Sequence, residues 1–151
     1  MEKQAFELFL KQAEALLEEE DCIAGLANCS ALIYDFYRDK CSWAGFYFNK
    51  GNELVLGPFQ GKVACTRIPF HRGVCGKAAT TMQTIIVPNV HEFDGHIACD
   101  SGSNSEIVVC IIKDGTCLGV IDLDSYQFNA FNEEDAQVLE KLSKMIANYL
   151  D

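Results

Sequence analysis

Nowhere in these 151 residues do the roughly 18 uninterrupted apolar residues of a membrane span occur. The start, MEKQAFELFLKQAEALLEEE, is acidic and amphipathic rather than signal-like, so a cytosolic protein is expected. Cations are scarce: 12 Lys and Arg stand against 22 Asp and Glu, a formal net charge of -10, and no Lys/Arg cluster offsets that field. Such a surface repels nucleic acid and anionic lipid, so neither is an expected partner. No repeat, low-complexity tract or Pro/Gly/Ser linker marks a boundary. The whole chain, 1–151, is expected to form one domain, with 49% hydrophobic residues to fill its core.

Cysteine is plentiful, but its readable spacings are missing. The eight stand at positions 22, 29, 41, 65, 75, 99, 110 and 117 with no C-x-x-C among them. Spacing therefore indicates neither a zinc knuckle nor a thioredoxin-type redox motif. With an adequate core and no secretory signal, thiols are expected rather than a disulfide scaffold. Cys29, Cys110 and Cys117 sit in apolar periodic segments and read as packing, and Cys22 and Cys41 border helix ends without a motif. Cys99 stands apart in HIACDSGSNSEIV, a Gly/Ser/Asp-rich loop that leads to Glu106 at the mouth of an apolar stretch.

The periodicity predicts helices at both ends around strands. Phe6, Phe9, Leu10, Ala13, Leu16 and Leu17 recur at helical spacing, as do Ile23, Leu26, Ala27, Ser30, Ile33, Tyr34 and Tyr37. Asn132 reads as the N-cap of a last helix whose buried stripe is Val138, Leu142, Met145, Ile146 and Tyr149. Strand candidates are SWAGFYFN, ELVLGPF, TIIV, EIVVCII and CLGVIDLD, with a short helix near VCGKAAT. Tight turns between strands imply an antiparallel sheet, hence an α+β fold with the terminal helices packed on one face.

Loop length at KDG decides which acids share a face. A three-residue loop, Lys113 to Gly115, with Gly115 left-handed in a bulge, pairs Ile112 with Thr116 and sets Glu106 opposite Asp122, with Asp124 on the same face. A two-residue DG turn instead sets Glu106 opposite Leu123 and splits the acids. Grouped acids favour the longer loop; acids that merely mark strand ends at solvent are the alternative.

GKVACTRIPFHRGVCGKAA, VHEFDGHIACDSGSNSEIV and GVIDLDS resemble the free methionine-(R)-sulfoxide reductase family, GAF-domain enzymes that act on the free amino acid. The similarity runs from about Trp43 into the FNEEDAQVLEKL helix. The resemblance implies a single GAF domain with a central antiparallel sheet, a thiol-based cycle on free methionine sulfoxide, thioredoxin as reductant and a homodimer, with no metal or organic cofactor. By position, Cys99 matches the catalytic nucleophile, Cys65 the thiol that closes a disulfide onto it, and Cys75 the third family cysteine. Glu106, Asp122 and Asp124 match the acids that hold the sulfoxide and the substrate's ammonium, and Trp43 and Tyr47, in WAGFY, the aromatic walls around its methyl end. One departure is visible: RIPFHRGVCG has His71 where glycine is expected, and a positive φ there would reshape the loop carrying Cys75.

The chemistry agrees with these assignments. A thiolate attacking an electrophilic sulfoxide sulfur displaces oxygen only if that oxygen is protonated as it leaves. Three clustered carboxylates cannot all ionise cheaply, so one should keep a proton to donate while the remaining charge binds an ammonium. Cys99 would become a sulfenic acid, and a second thiol would condense with it to a disulfide and water. Two alternatives are weighed: a metal site from His91, His96 and Cys99 with Asp94 or Asp100, unsupported by any zinc-like spacing, and a non-catalytic GAF module binding a small ligand.

Overall fold

The computed structural model describes residues 3–95 and 102–150. Along them run α1 (Lys3–Leu16), α2 (Cys22–Phe36), β1 (Cys41–Asn49), β2 (Glu53–Gln60), β3 (Arg67–Pro69), α3 (Gly73–Thr81), β4 (Ile85–Val87), β5 (Ser105–Lys113), β6 (Thr116–Ser125) and α4 (Glu133–Tyr149). Among the described residues six strands form one antiparallel sheet in the order β3-β2-β1-β6-β5-β4. The α+β architecture is the expected one. Strand β3 was not anticipated, because three residues are too few to show an alternation.

Period-two alternation divides the strands between two cores. Ala44 and Phe46 of β1, Ile107, Val109 and Ile111 of β5, and Ile121 and Leu123 of β6 face one side, where α1, α2 and α4 cover them. The terminal helices thus share a face, as expected. The intervening residues face the other side, where Val74, Cys75, Ala78 and Ala79 of α3 pack on Trp43, Tyr47, Val108, Cys110 and Val120. Among the described residues no helix is long and apolar enough to cross a membrane.

Helix α4 begins at Asn132 as expected, and the cap ties it to the sheet. Asn132 Oδ1 accepts from the Asp135 amide at 3.1 Å, and the Asn132 amide donates back to Asp135 Oδ2 at 2.9 Å. Buried Asp135 also accepts from the Tyr37 hydroxyl at 2.8 Å and pairs with Lys40 Nζ at 3.5 Å. Asp135→Ala would leave the cap, the phenol and the ammonium unpaired together. It should cost about 3 kcal/mol and lower Tm by roughly 10 °C, checked by thermal unfolding.

The β5–β6 hairpin corrects the expected loop. Lys113 pairs with Thr116, so the turn is the two-residue Asp114-Gly115, with φ of 52° and 75°. The register then shifts: Ile112 pairs with Cys117 but Ile111 with Gly119, leaving Leu118 as an extra residue in β6. Glu106 consequently faces Asp124, not Asp122, whose partner is Val108. The one-residue bulge cancels the parity change of the shorter turn, so all three acids return to one face. Gly119 suits this spot, since a Cβ there would collide with the Tyr47 carbonyl oxygen on β1.

Candidate active site

Trp43 and Tyr47 from β1, Cys75 from α3, Glu106 from β5, and Asp122 and Asp124 from β6 line one pocket. β1 and β5 flank β6 in the sheet, so every one of these strand side chains is delivered to the α3 side by the same alternation. Lys62 and Ser103 also line the pocket and were not singled out in the sequence. Both sit in loops, where no periodicity signals a direction.

The aromatic wall is built by stacking. The Trp43 ring lies 5.9 Å from that of Tyr47 and 5.2 Å from that of Phe59, with interplanar angles of 25° and 18°. Gly45, between Trp43 and Tyr47 on the same face, leaves room for this stack; a Cβ there would collide with Phe59. The polar ends of the two rings anchor the loop after β2. Trp43 Nε1 donates to the Lys62 carbonyl at 3.1 Å, and the Tyr47 hydroxyl donates to the Cys65 carbonyl at 2.8 Å. The aromatic walls are therefore tied to the loop that carries Cys65.

The acids sit at the buried end. Glu106 and Asp122 are only 6% and 5% exposed. Burial raises the Glu106 carboxyl well above its ordinary value, and the charge of Asp124 adds to this. Burial likewise raises Asp122, helped by the charge of Glu106 and a hydrogen bond with it. A hydrogen bond between two carboxyls needs a proton on one of them, so this cluster retains at least one proton near neutrality. Asp122 Oδ1 is buried and has no hydrogen-bond partner, which leaves an acceptor for a donor on a bound molecule.

Cys75 joins the cluster from the helix side. Its thiol lies 3.9 Å from Glu106 Oε2, and ligand atoms of Cys75, Glu106 and Asp122 all fall within 4.8 Å of one another. Among the described residues these three are the group with spacing suited to a metal ion. Burial and the neighbouring carboxyls push the Cys75 thiol well above its ordinary value, so this thiol is protonated and a poor nucleophile as it stands. His71 does not carry a positive φ; that conformation falls to Gly73, at 70°.

Cys65 is disulfide-bonded, whereas Cys22, Cys29, Cys41, Cys75, Cys110 and Cys117 are free. Cys99 lies outside the described residues, as do His96 and Asp100 of the metal alternative. His91, the remaining histidine of that alternative, has Nε2 2.8 Å from Asn104 Oδ1.

The GAF domain family matches residues 4–150 of the chain. The chain is 49% identical to the free methionine-R-sulfoxide reductase of Escherichia coli over 132 residues, 87% of this chain and 79% of that protein. Identity to the Saccharomyces cerevisiae protein of the same name is 50% over 131 residues, covering 82% and 73%. The X-ray structure of free methionine-R-sulfoxide reductase from Neisseria meningitidis in complex with its substrate matches with a TM-score of 0.93 at 42% identity, covering 99% of this chain and 91% of that one.

Proposed function

Since the chain belongs to the GAF family and, within it, to the free methionine-R-sulfoxide reductases, we propose that it reduces free L-methionine (R)-sulfoxide to methionine. The observation that carries the reading is the pairing of buried carboxyls, held above their ordinary values, with an aromatic wall in one pocket, beside the loop of a disulfide-bonded cysteine. Trp43 and Tyr47 bracket the methyl end of the substrate. Glu106 gives its proton to the sulfoxide oxygen, and the negative charge left on Asp122 and Asp124 holds the ammonium. Cys99 attacks the sulfur, an S–S bond forms and the S–O bond breaks, the oxygen leaving as water with the Glu106 proton and the thiol's own; a water molecule then adds to the Cys99 sulfur, the S–S bond breaks, methionine leaves, a proton returns to Glu106 and Cys99 becomes a sulfenic acid. The Cys65 thiol then attacks the Cys99 sulfur, forming the S–S bond and releasing water. A dithiol donor of the thioredoxin class accepts the oxidising equivalent, and Cys75 lies close enough to the acids to take part in that recycling. The protein works as a single cytosolic domain and as a homodimer.

The test is a coupled assay. NADPH oxidation through thioredoxin and its reductase should accelerate when free methionine sulfoxide is added; no acceleration with any dithiol donor would leave a non-catalytic binding module. The (S) epimer and peptide-bound sulfoxide should be poor substrates. Blocking the amino group removes a charge-assisted contact to the acids, so N-acetylated sulfoxide should lose at least about tenfold in kcat/KM. Equal turnover of blocked and free substrate counts against the ammonium site.

A further inference from the structure

The thiol and carboxyls at the buried end of the pocket come from three different elements: Cys75 from α3, Glu106 from β5 and Asp122 from β6. Glu106 pairs with Asp124 and Asp122 with Val108, so Glu106 and Asp122 are diagonal neighbours on one face of the sheet. Helix α3 packs on that face and brings Cys75 to them. One ligand atom from each residue lies within 4.8 Å of the other two, and all three residues are buried. Among the described residues no second trio of His, Cys, Asp and Glu has such spacing. An independent observation concerns what belongs between them: Asp122 lines the pocket, is 5% exposed and keeps Oδ1 without a hydrogen-bond partner. A buried acceptor of that kind is completed by a bound donor or cation.

We propose that Cys75, Glu106 and Asp122 form a site for a divalent cation of the zinc class, held by one sulfur and two carboxylate oxygens with a fourth position open to the pocket. Bonds of about 2.3 Å to sulfur and about 2.1 Å to oxygen, at a tetrahedral angle, set those two atoms roughly 3.6 Å apart. Cys75 Sγ lies 3.9 Å from Glu106 Oε2, so a small side-chain adjustment completes the geometry. The donor set selects the ion. Thiolate sulfur suits Zn2+, Co2+ or Cd2+, whereas Mg2+ and Ca2+ take oxygen ligands. As the metal–sulfur bond forms, the thiol's proton leaves to solvent, and nothing is oxidised or reduced. The net charge of -10 draws cations towards the protein.

An ion in this position blocks the reduction proposed above, a consequence that rests on that reading. Glu106, bound as a carboxylate, carries no proton for the sulfoxide oxygen, and Asp122 no longer has an oxygen open to an ammonium. Cys75 is withdrawn from thiol exchange. Zinc and methionine sulfoxide therefore exclude each other.

The test is a Co2+ titration of the intact protein with Cys65 in its disulfide and no substrate present. Among the described residues, Cys75 is then the free thiol that lines the pocket. One Co2+ per chain should bind, giving a sulfur-to-cobalt charge-transfer band and the strong visible absorption of a four-coordinate ion, and Zn2+ should bleach both. Cys75→Ser should abolish the charge-transfer band. Asp122→Asn should keep the band and weaken binding at least about tenfold. Cys22→Ser, at an exposed thiol outside the pocket, should change nothing. No charge-transfer band at millimolar Co2+ overturns the proposal, as does a band that survives Cys75→Ser. If Cys75→Ser does not fold, Asp122→Asn decides, and unchanged affinity in that variant overturns the site. Because binding is read without substrate, a failed titration leaves the reductase reading standing, and a full cobalt spectrum from a protein that reduces no sulfoxide upholds the metal site alone.

Discussion

Cys99→Ser is expected to release no methionine from free methionine (R)-sulfoxide, even with enzyme in excess over substrate. A serine hydroxyl is almost wholly protonated at neutral pH and is a far weaker nucleophile than a thiolate, so the rate should fall by at least about 10³-fold. Cys65→Ser should behave differently. It should form close to one methionine per subunit and then stall, because the sulfenic acid on Cys99 has lost the thiol with which it condenses. Steady-state turnover with thioredoxin collapses while the first turnover survives. Single-turnover methionine release, quantified per subunit, separates the two. Cys75→Ser should slow recycling and keep the burst. A full burst from the Cys99 variant with none from the Cys75 variant would transfer the nucleophile to Cys75.

Glu106→Gln should lose about 10² to 10⁴ in kcat/KM while the protein folds as well as the parent or better. The amide keeps the shape but has no acidic proton to give to the departing oxygen. Stability moves the other way because Glu106 is buried with its carboxyl held well above its ordinary value of 4.5. For such a group the folded state binds the proton more tightly than the unfolded state does. The resulting stabilisation is fully present below about pH 4.5 and is lost as pH rises through the folded value. The Gln variant has no proton to lose, so its Tm relative to the parent should climb as pH is raised across that window. Thermal unfolding and initial rates on the same pH series check both halves. Near-parent rates for Glu106→Gln, Asp122→Asn and Asp124→Asn together would reduce the acids to strand-end residues and remove the proposed proton transfer.

Much of the framework was legible because it rests on local rules. The helix stripes of Phe6, Phe9 and Ala13 and of Val138 and Leu142 follow from a period of 3.6, and the N-cap role of Asn132 follows from residue type. The alternation in WAGFY and VIDLD by itself determined that Trp43 and Tyr47 share one face of their strand, and Asp122 and Asp124 one face of theirs. The long motifs around Cys65, Cys75 and Cys99 determined the family resemblance.

Tertiary structure decided what depends on register and depth. That Glu106 joins Asp122 and Asp124 results from two offsets that cancel, the two-residue turn at Asp114-Gly115 and the bulge at Leu118. No pattern in KDGTCLG distinguishes that solution from a longer loop; the register of β6 beside β1, where a Cβ at Gly119 would collide with the Tyr47 carbonyl oxygen, appears only when the strands pair. The upward shift of the Glu106 and Asp122 carboxyls depends on burial beneath α3, which sequence spacing does not measure. Local sequence selects the elements and the faces; the distances between side chains on different elements, and hence the chemistry, are set when those elements pack.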